Sequence, residues 1–188
     1  NNSYKITSYK NSQIIYNEKE YLIENSKKDI IKIKQLIPNT KMIIMGGSLQ
    51  NLTIVANFIP QEKNSNTKTF DIRGLTGCLN LIDLEVKNIN IEISNGNCED
   101  SVNIVRSKGT INELKILNSS NDALDIDFSD ISILKTNILT AGNDCIDLSF
   151  GKYKIGETNI SDCGDKAISV GEKSDLASQN LNIMNANI

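Results

Sequence analysis

From residue 78 onward the chain repeats a short alternation of apolar and polar positions. It reads Cys78-Leu79-Asn80-Leu81, Ser101-Val102-Asn103-Ile104, Ala123-Leu124-Asp125-Ile126, Cys145-Ile146-Asp147-Leu148 and Ala167-Ile168-Ser169-Val170. The first apolar position steps by 23, 22, 22 and 22 residues. A second column, Ile93, Ile116, Ile138, Ile160 and Ile183, steps by 23, 22, 22 and 23. Alternation of period two predicts strands, and two columns in step predict a stacked repeat. A leucine-rich repeat has a similar period, but its Leu-rich consensus is missing. The expected fold is therefore all-β: a single-stranded right-handed parallel β-helix of about 22 residues per coil, with equivalent positions about 4.8 Å apart along the axis. Leu79, Val102, Leu124, Ile146 and Ile168 form one inward ladder, Leu81, Ile104, Ile126, Leu148 and Val170 the next, and Asn80, Asn103, Asp125, Asp147 and Ser169 face out.

The first 70 residues repeat less well, although 30–33, 42–45 and 52–55 read as strands. Residues 1–45 are expected to be an N-terminal cap and first coil, and 46–188 the β-helix. Within the cap, 18–28 reads as a short helix with Tyr21, Leu22 and Ile23 on its apolar face, or as another strand pair. The polar stretch 61–69 reads as an exposed loop. The chain ends with a strand in progress, and an edge of that kind invites pairing. The expectation is that the native protein continues or that a second subunit covers the end, through end-to-end self-association. The start, Asn1-Asn2, fits a mature protein or an excerpt.

Composition sharpens this picture. The chain has 188 residues, with 30 Ile and 26 Asn. Ile suits strands, and Asn suits polar corners. A formal charge of −3 gives no basic excess for nucleic acid. The absence of His removes Ser-His and Cys-His nucleophile schemes and most familiar metal sites. No run approaches the roughly 18 apolar residues of a membrane span.

The segments Glu99-Asp100-Ser101-Val102, Asn121-Asp122-Ala123-Leu124-Asp125, Gly142-Asn143-Asp144-Cys145 and Gly164-Asp165-Lys166-Ala167 resemble the parallel β-helix of bacterial surface proteins, of the kind found beside spore-coat-H-type kinase domains. The resemblance covers roughly residues 40–188. It implies a pectate-lyase-like superhelix and a secreted or cell-surface location. A looser resemblance links Ser120-Asn121-Asp122, Gly142-Asn143-Asp144-Cys145 and Asp165-Lys166-Ala167 to the signatures of polygalacturonase-type glycoside hydrolases. Here the proton-donating Asp of the second signature is Asn143, the His is Lys166, and no Arg-x-Lys segment follows. An amide cannot protonate a leaving group.

Between residues 119 and 150, six Asp face one Lys, a local charge of −5. In register, Asp122 stacks on Asp144 and Asp125 on Asp147. Three remedies for the repulsion are available: a Ca²⁺ ion held by Asp122, Asp125, Asp144 and Asp147, a raised pKa in each pair, or Lys166 as counter-ion. The plain alternative is a solvated acidic face. Phe128 and Phe150 lie one period apart, with Arg106 and Glu172 flanking their column. Together with Asp125 and Asp147 they suggest a carbohydrate-binding cleft, or else a strand-end stack with Arg106 over Phe128. Cys78 and Cys98 are 20 apart and Cys145 and Cys163 18 apart, each just under one coil. Both pairs are expected to be disulfides or buried thiols. Bridges would favour an extracytoplasmic setting, and the hydrolases resembled often carry one at the second pair.

The function expected is a non-catalytic extracellular module: a rigid spacer with a surface for adhesion or polysaccharide contact, requiring no cofactor. The alternative is a polysaccharide hydrolase, lyase or epimerase using Asp122, Asp144 and Lys166. An ice-binding solenoid would need a flat Thr array, which the sequence lacks.

Overall fold

A computed structural model describes residues 4–27, 29–60 and 69–187. The chain is a parallel β-solenoid of about six turns, with a repeat of roughly 23 residues. The first strands are β1 (Lys5–Tyr9), β2 (Ser12–Tyr16), β3 (Tyr21–Lys27), β4 (Ile30–Gln35), β5 (Met42–Met45) and β6 (Ser48–Asn57). The regular coils follow as β7 (Gly77–Ile82), β8 (Glu85–Ser94), β9 (Asp100–Val105), β10 (Lys108–Ser119), β11 (Asp122–Asp127), β12 (Asp130–Ala141), β13 (Ile146–Ser149) and β14 (Lys152–Cys163). The last are β15 (Ile168–Val170), β16 (Asp175–Ser178) and β17 (Leu181–Met184). Short strands stack as sheet A, in the order β1-β2-β5-β7-β9-β11-β13-β15. Long ones stack as sheet B, β16-β14-β12-β10-β8-β6-β4-β3, with β17 also on β14.

The inward ladders are in the expected register. Met42, Leu79, Val102, Leu124, Ile146 and Ile168 are successive partners, as are Ile44, Leu81, Ile104, Ile126, Leu148 and Val170. From sheet B, Ala56, Ile93, Ile116, Ile138, Ile160 and Ile183 complete the core. Most of these side chains are wholly buried, whereas in the final coil Val170 and Ile183 are open.

Two corners turn each coil. Asp83, Arg106, Phe128, Phe150 and Lys173 occupy the first with φ of 49 to 54°, and Asn95, Asn118, Thr140, Asp162 and Asn185 the second with φ of 52 to 66°. Asn and Asp adopt this left-handed region readily, which accounts for the second corner except at Thr140, whereas a bulky or β-branched residue there costs about 1 kcal/mol or more. The second corner is also laced by amide bonds from Asn95 to Asn57, from Asn118 to Asn95 and from Asn185 to Asp162.

Both cysteine pairs are disulfides, Cys78–Cys98 and Cys145–Cys163, with Cα atoms 5.4 and 5.6 Å apart. On the outer face of sheet B, charge alternates in sign from coil to coil: Glu85, Lys108, Asp130, Lys152, Asp175, and beside it Glu113, Lys135, Glu157. Exposed pairs of this kind stabilise little individually, but alternation avoids stacking like charges.

Of the two readings of 18–28, the strand pair is the one formed: β3 pairs antiparallel with β4, burying Tyr21 and exposing Leu22, so the apolar run is read with period two. The N-terminal end is closed by such antiparallel pairs, β1 with β2, β2 with β5 and β3 with β4. Two expectations are corrected, for the outward asparagines and for Glu172. Asn80 and Asn103 leave the core by alternation yet are buried, because Gly77 packs against Asn103 and Asn80 bonds back to Gly77 and to the Met42 carbonyl. Glu172 is not in the phenylalanine column. An extra residue near Gly171 brings Lys173 there, since Lys152 pairs with Asp175. The loop expected at 61–69 lies, except for Thr69, outside the described residues.

Candidate functional site

The outer face of sheet A carries the carboxylates. Asp100 and Asp122 are register partners, as are Asp125 and Asp147. Asp122 Oδ1 accepts the Asp144 N–H and the Asn143 side-chain amide, both at 2.8 Å. Asp144 Oδ1 in turn accepts the Lys166 N–H at 2.8 Å, with Lys166 Nζ 3.7 Å away. These two carboxylates thus staple one coil to the next. Lys166 also pairs with Asp165, and that bond, followed by the charge of Asp144, raises its pKa. A lysine held so keeps its proton and has no free lone pair to act as a general base, which weakens the catalytic role considered for it.

In the neighbouring column, Asn103 Nδ2 donates to Asp125 at 2.7 Å and to Asp100 at 3.4 Å. Burial pushes the Asp100 carboxyl up to about 7, helped by Asp122 and Glu99 and opposed by a bond from Thr76. Burial likewise pushes Asp125 up to about 8, with Asp100, Asp127, Asp147 and Asp122 adding to the effect. Asp122 and Asp127 are raised by the same cause. Stacked repulsion is therefore met by held protons at Asp100 and Asp125 and by Lys166 at Asp144. Lys41 closes the N-terminal end of this face; it is buried, its ammonium bonds the carbonyls of Thr69 (3.0 Å) and Thr76 (2.8 Å), and burial lowers its pKa. Among the described residues, no three His, Cys, Asp or Glu side chains converge as metal ligands, so Asp122, Asp125, Asp144 and Asp147 are not gathered around one point.

The first corner carries the aromatic pair. Phe128 and Phe150 stack with ring centroids 4.8 Å apart and planes 13° from parallel. Phe128 stays 58 % exposed because Arg106, the next residue in the column, turns away from it. Its guanidinium grips Asp83 in a bidentate pair at 2.7 and 2.9 Å, so the expected stack of Arg106 on Phe128 is not formed. Behind the rings the backbone is firmly held. Ser129 Oγ donates to the Asp127 carbonyl and accepts the Ser107 N–H, and Tyr153 bonds the carbonyls of Ile126 and Ser149. The result is a groove of about 490 Å³, lined by Asp83, Glu85, Arg106, Lys108, Phe128 and Asp130 among others.

Of the residues singled out in the sequence, Phe128, Phe150 and Arg106 meet at this groove, whereas Asp125 and Asp147 lie on the adjoining face of sheet A. Sequence reasoning missed Asp83, which uncovers Phe128, and the buried Asp100 and Lys41. Asp83 was detectable, since it lies 23 residues before Arg106, one step up the same column.

No family model, curated protein or solved structure matches this chain.

Proposed function

We propose that the chain is a non-catalytic, extracytoplasmic β-solenoid module that holds polysaccharide at the Phe128 corner. The observation that carries this reading is a phenylalanine 58 % exposed at φ 50°, a position where Asn would be less strained and more soluble. Backed by Phe150, it offers an apolar ring to the C–H face of a sugar. The two disulfides and the resemblance to surface-protein β-helices support a secreted or cell-surface setting. The hydrogen bonds that occupy Asp122 and Asp144 favour a structural role for them over the hydrolase, lyase or epimerase alternative.

The test is affinity electrophoresis through gels containing individual polysaccharides, comparing the wild type with Phe128→Asn. At least one glycan is expected to retard the wild type and not the variant. Migration unaffected by every glycan, or equal retardation of the variant, would overturn the reading. Release of reducing ends or unsaturated products, lost in Asp122→Asn and Asp144→Asn, would overturn its non-catalytic part.

A further inference from the structure

We infer that the outer face of sheet B pairs with the same face of a second copy of this chain, side by side, with the coils of the two copies running in opposite order. Solvated positions of a sheet are ordinarily polar, yet Leu117, Leu134, Leu139 and Met184 stand out from this face at 43, 55, 45 and 55 % exposure. Leu117, Leu139, Ser161 and Met184 form one register column, and beside it runs the column Lys115, Asn137, Asn159 and Asn182. Leu134 lies between Ile133 and Lys135, and Gly156 lies between their partners Ile155 and Glu157, so the two hold the same place in successive coils. Beside Gly156, which has no side chain to fill the space, is a hollow of about 250 Å³ lined by Leu134, Ile155 and Ala177 among others.

Charge identifies what covers this face. Lys108, Asp130, Lys152 and Asp175 alternate in sign down one column, and Glu113, Lys135 and Glu157 down another. A half-turn about an axis lying along the strands, midway between β12 and β14, lays each column on itself with the order of coils reversed. Asp130 then meets the second copy's Lys152, Lys135 meets its Glu157, and Lys108 meets its Asp175. Each of these contacts joins unlike charges. The same half-turn sets Leu117 on the second copy's Met184 and Leu134 in the hollow beside its Gly156, and each contact occurs twice because the interface is isologous. An axis one coil earlier, between β10 and β12, would satisfy the charges as well, but it would set Leu134 on Asn112 and leave the hollow unfilled. Within one copy the lysines are only loosely engaged, Lys108 at 3.9 Å from Glu85 and Lys135 at 3.8 Å from Glu157, so they keep N–H donors for a partner. Strands of 12 residues spread over four coils present about 750 Å² per copy, or about 1,500 Å² for the pair, the size of an ordinary specific interface.

The experiment is analytical ultracentrifugation of the whole chain from about 1 to 100 μM. The wild type is expected to be dimeric at the upper end, and Leu134→Asn to dissociate at least about tenfold more readily. Two charge variants test the pairing itself. Lys135→Glu with Lys152→Glu makes the facing positions of β12 and β14 all acidic, and Asp130→Lys with Glu157→Lys makes them all basic. Each variant alone is expected to be monomeric, and an equimolar mixture to form a heterodimer. A wild type that stays monomeric at about 100 μM, variants that dimerise on their own, or a mixture that does not associate would overturn the inference. Should circular dichroism show either charge variant unfolded, Leu134→Asn decides alone, since its side chain is exposed and contributes little to the fold; a dimer as tight as the wild type's would then overturn the inference.

Discussion

The buried carboxyls of sheet A make the stability of this fold fall as pH rises, the opposite of the usual trend for aspartates. Asp100 and Asp125 hold their protons in the folded chain up to about pH 7 and 8, whereas in the unfolded chain they ionise near pH 3.9. Between those limits the folded state binds more protons than the unfolded one. Each group then subtracts about 1.4 kcal/mol of stability per pH unit, fully present below the unfolded pKa and lost as pH climbs to the folded pKa. The charge of Asp100 adds to the rise at Asp125, so the two titrations are coupled, and the combined slope lies between about 1.4 and 3 kcal/mol per unit. From pH 5 to 7 the loss is of the order of 3 to 5 kcal/mol, a large part of the 5–15 kcal/mol that holds an ordinary domain together. Asp83 and Asp165, held below the ordinary range by Arg106 and Lys166, act in the opposite sense, but only below about pH 4. The assay is urea unfolding followed by circular dichroism at half-unit steps from about pH 4.5 to 8. Asp125→Asn keeps an acceptor for Asn103 and removes the titration. The variant should show a shallower slope and greater stability than the wild type at about pH 7.5. Stability that is flat or rising across the window, or a variant as pH-dependent as its parent, would refute the reasoning.

Three further outcomes are expected. Phe128→Asn should leave stability within about 1 kcal/mol of wild type, because relief of the left-handed backbone offsets the lost ring stack; a loss above about 2 kcal/mol in urea would make the stack a structural element instead. Replacing Cys145 and Cys163 together by Ser should cost about 3 kcal/mol by the loop-entropy relation, given the separation of 18 residues, and an unchanged thermal midpoint would count against the bridge. Leu124→Ala, at a wholly buried rung of the central ladder, should cost about 2 to 5 kcal/mol; a smaller loss in the same unfolding assay would mean the core is looser than its burial implies.

Much of this architecture was legible in the sequence because a solenoid writes its geometry as a period. Once Leu79, Val102, Leu124 and Ile146 fell in step, strand direction, core columns and the proximity of Cys145 to Cys163 followed from one number, whereas the choice between a bridge and two buried thiols did not. Tyr21 to Ile23 stayed open between helix and strand pair because three consecutive apolar residues fit a helix face and a half-buried strand equally well, and the deciding partner, β4, is reached only by folding. Asn80 and Asn103 were correctly placed off the core, but alternation says which side of a sheet a residue takes, not whether another segment covers that side. Glu172 was misplaced because a single extra residue shifts every later column. At the aromatic corner the phenylalanines were legible by period, whereas the exposure of Phe128 depends on the preference of Arg106 for Asp83, a pairing between two long or polar side chains that register alone does not decide.

The central claim is that glycan is held at the Phe128 corner. Titrating the isotopically labelled chain with a soluble oligomer of a polysaccharide that retards it in gels, and mapping the amide shifts by heteronuclear NMR, tests it most directly. The account expects perturbations clustered on three adjacent corner segments, Asp83 to Glu85, Arg106 to Lys108 and Phe128 to Asp130. A spectrum that does not change, or shifts centred instead on Asp125 and Asp147 of sheet A, would contradict it.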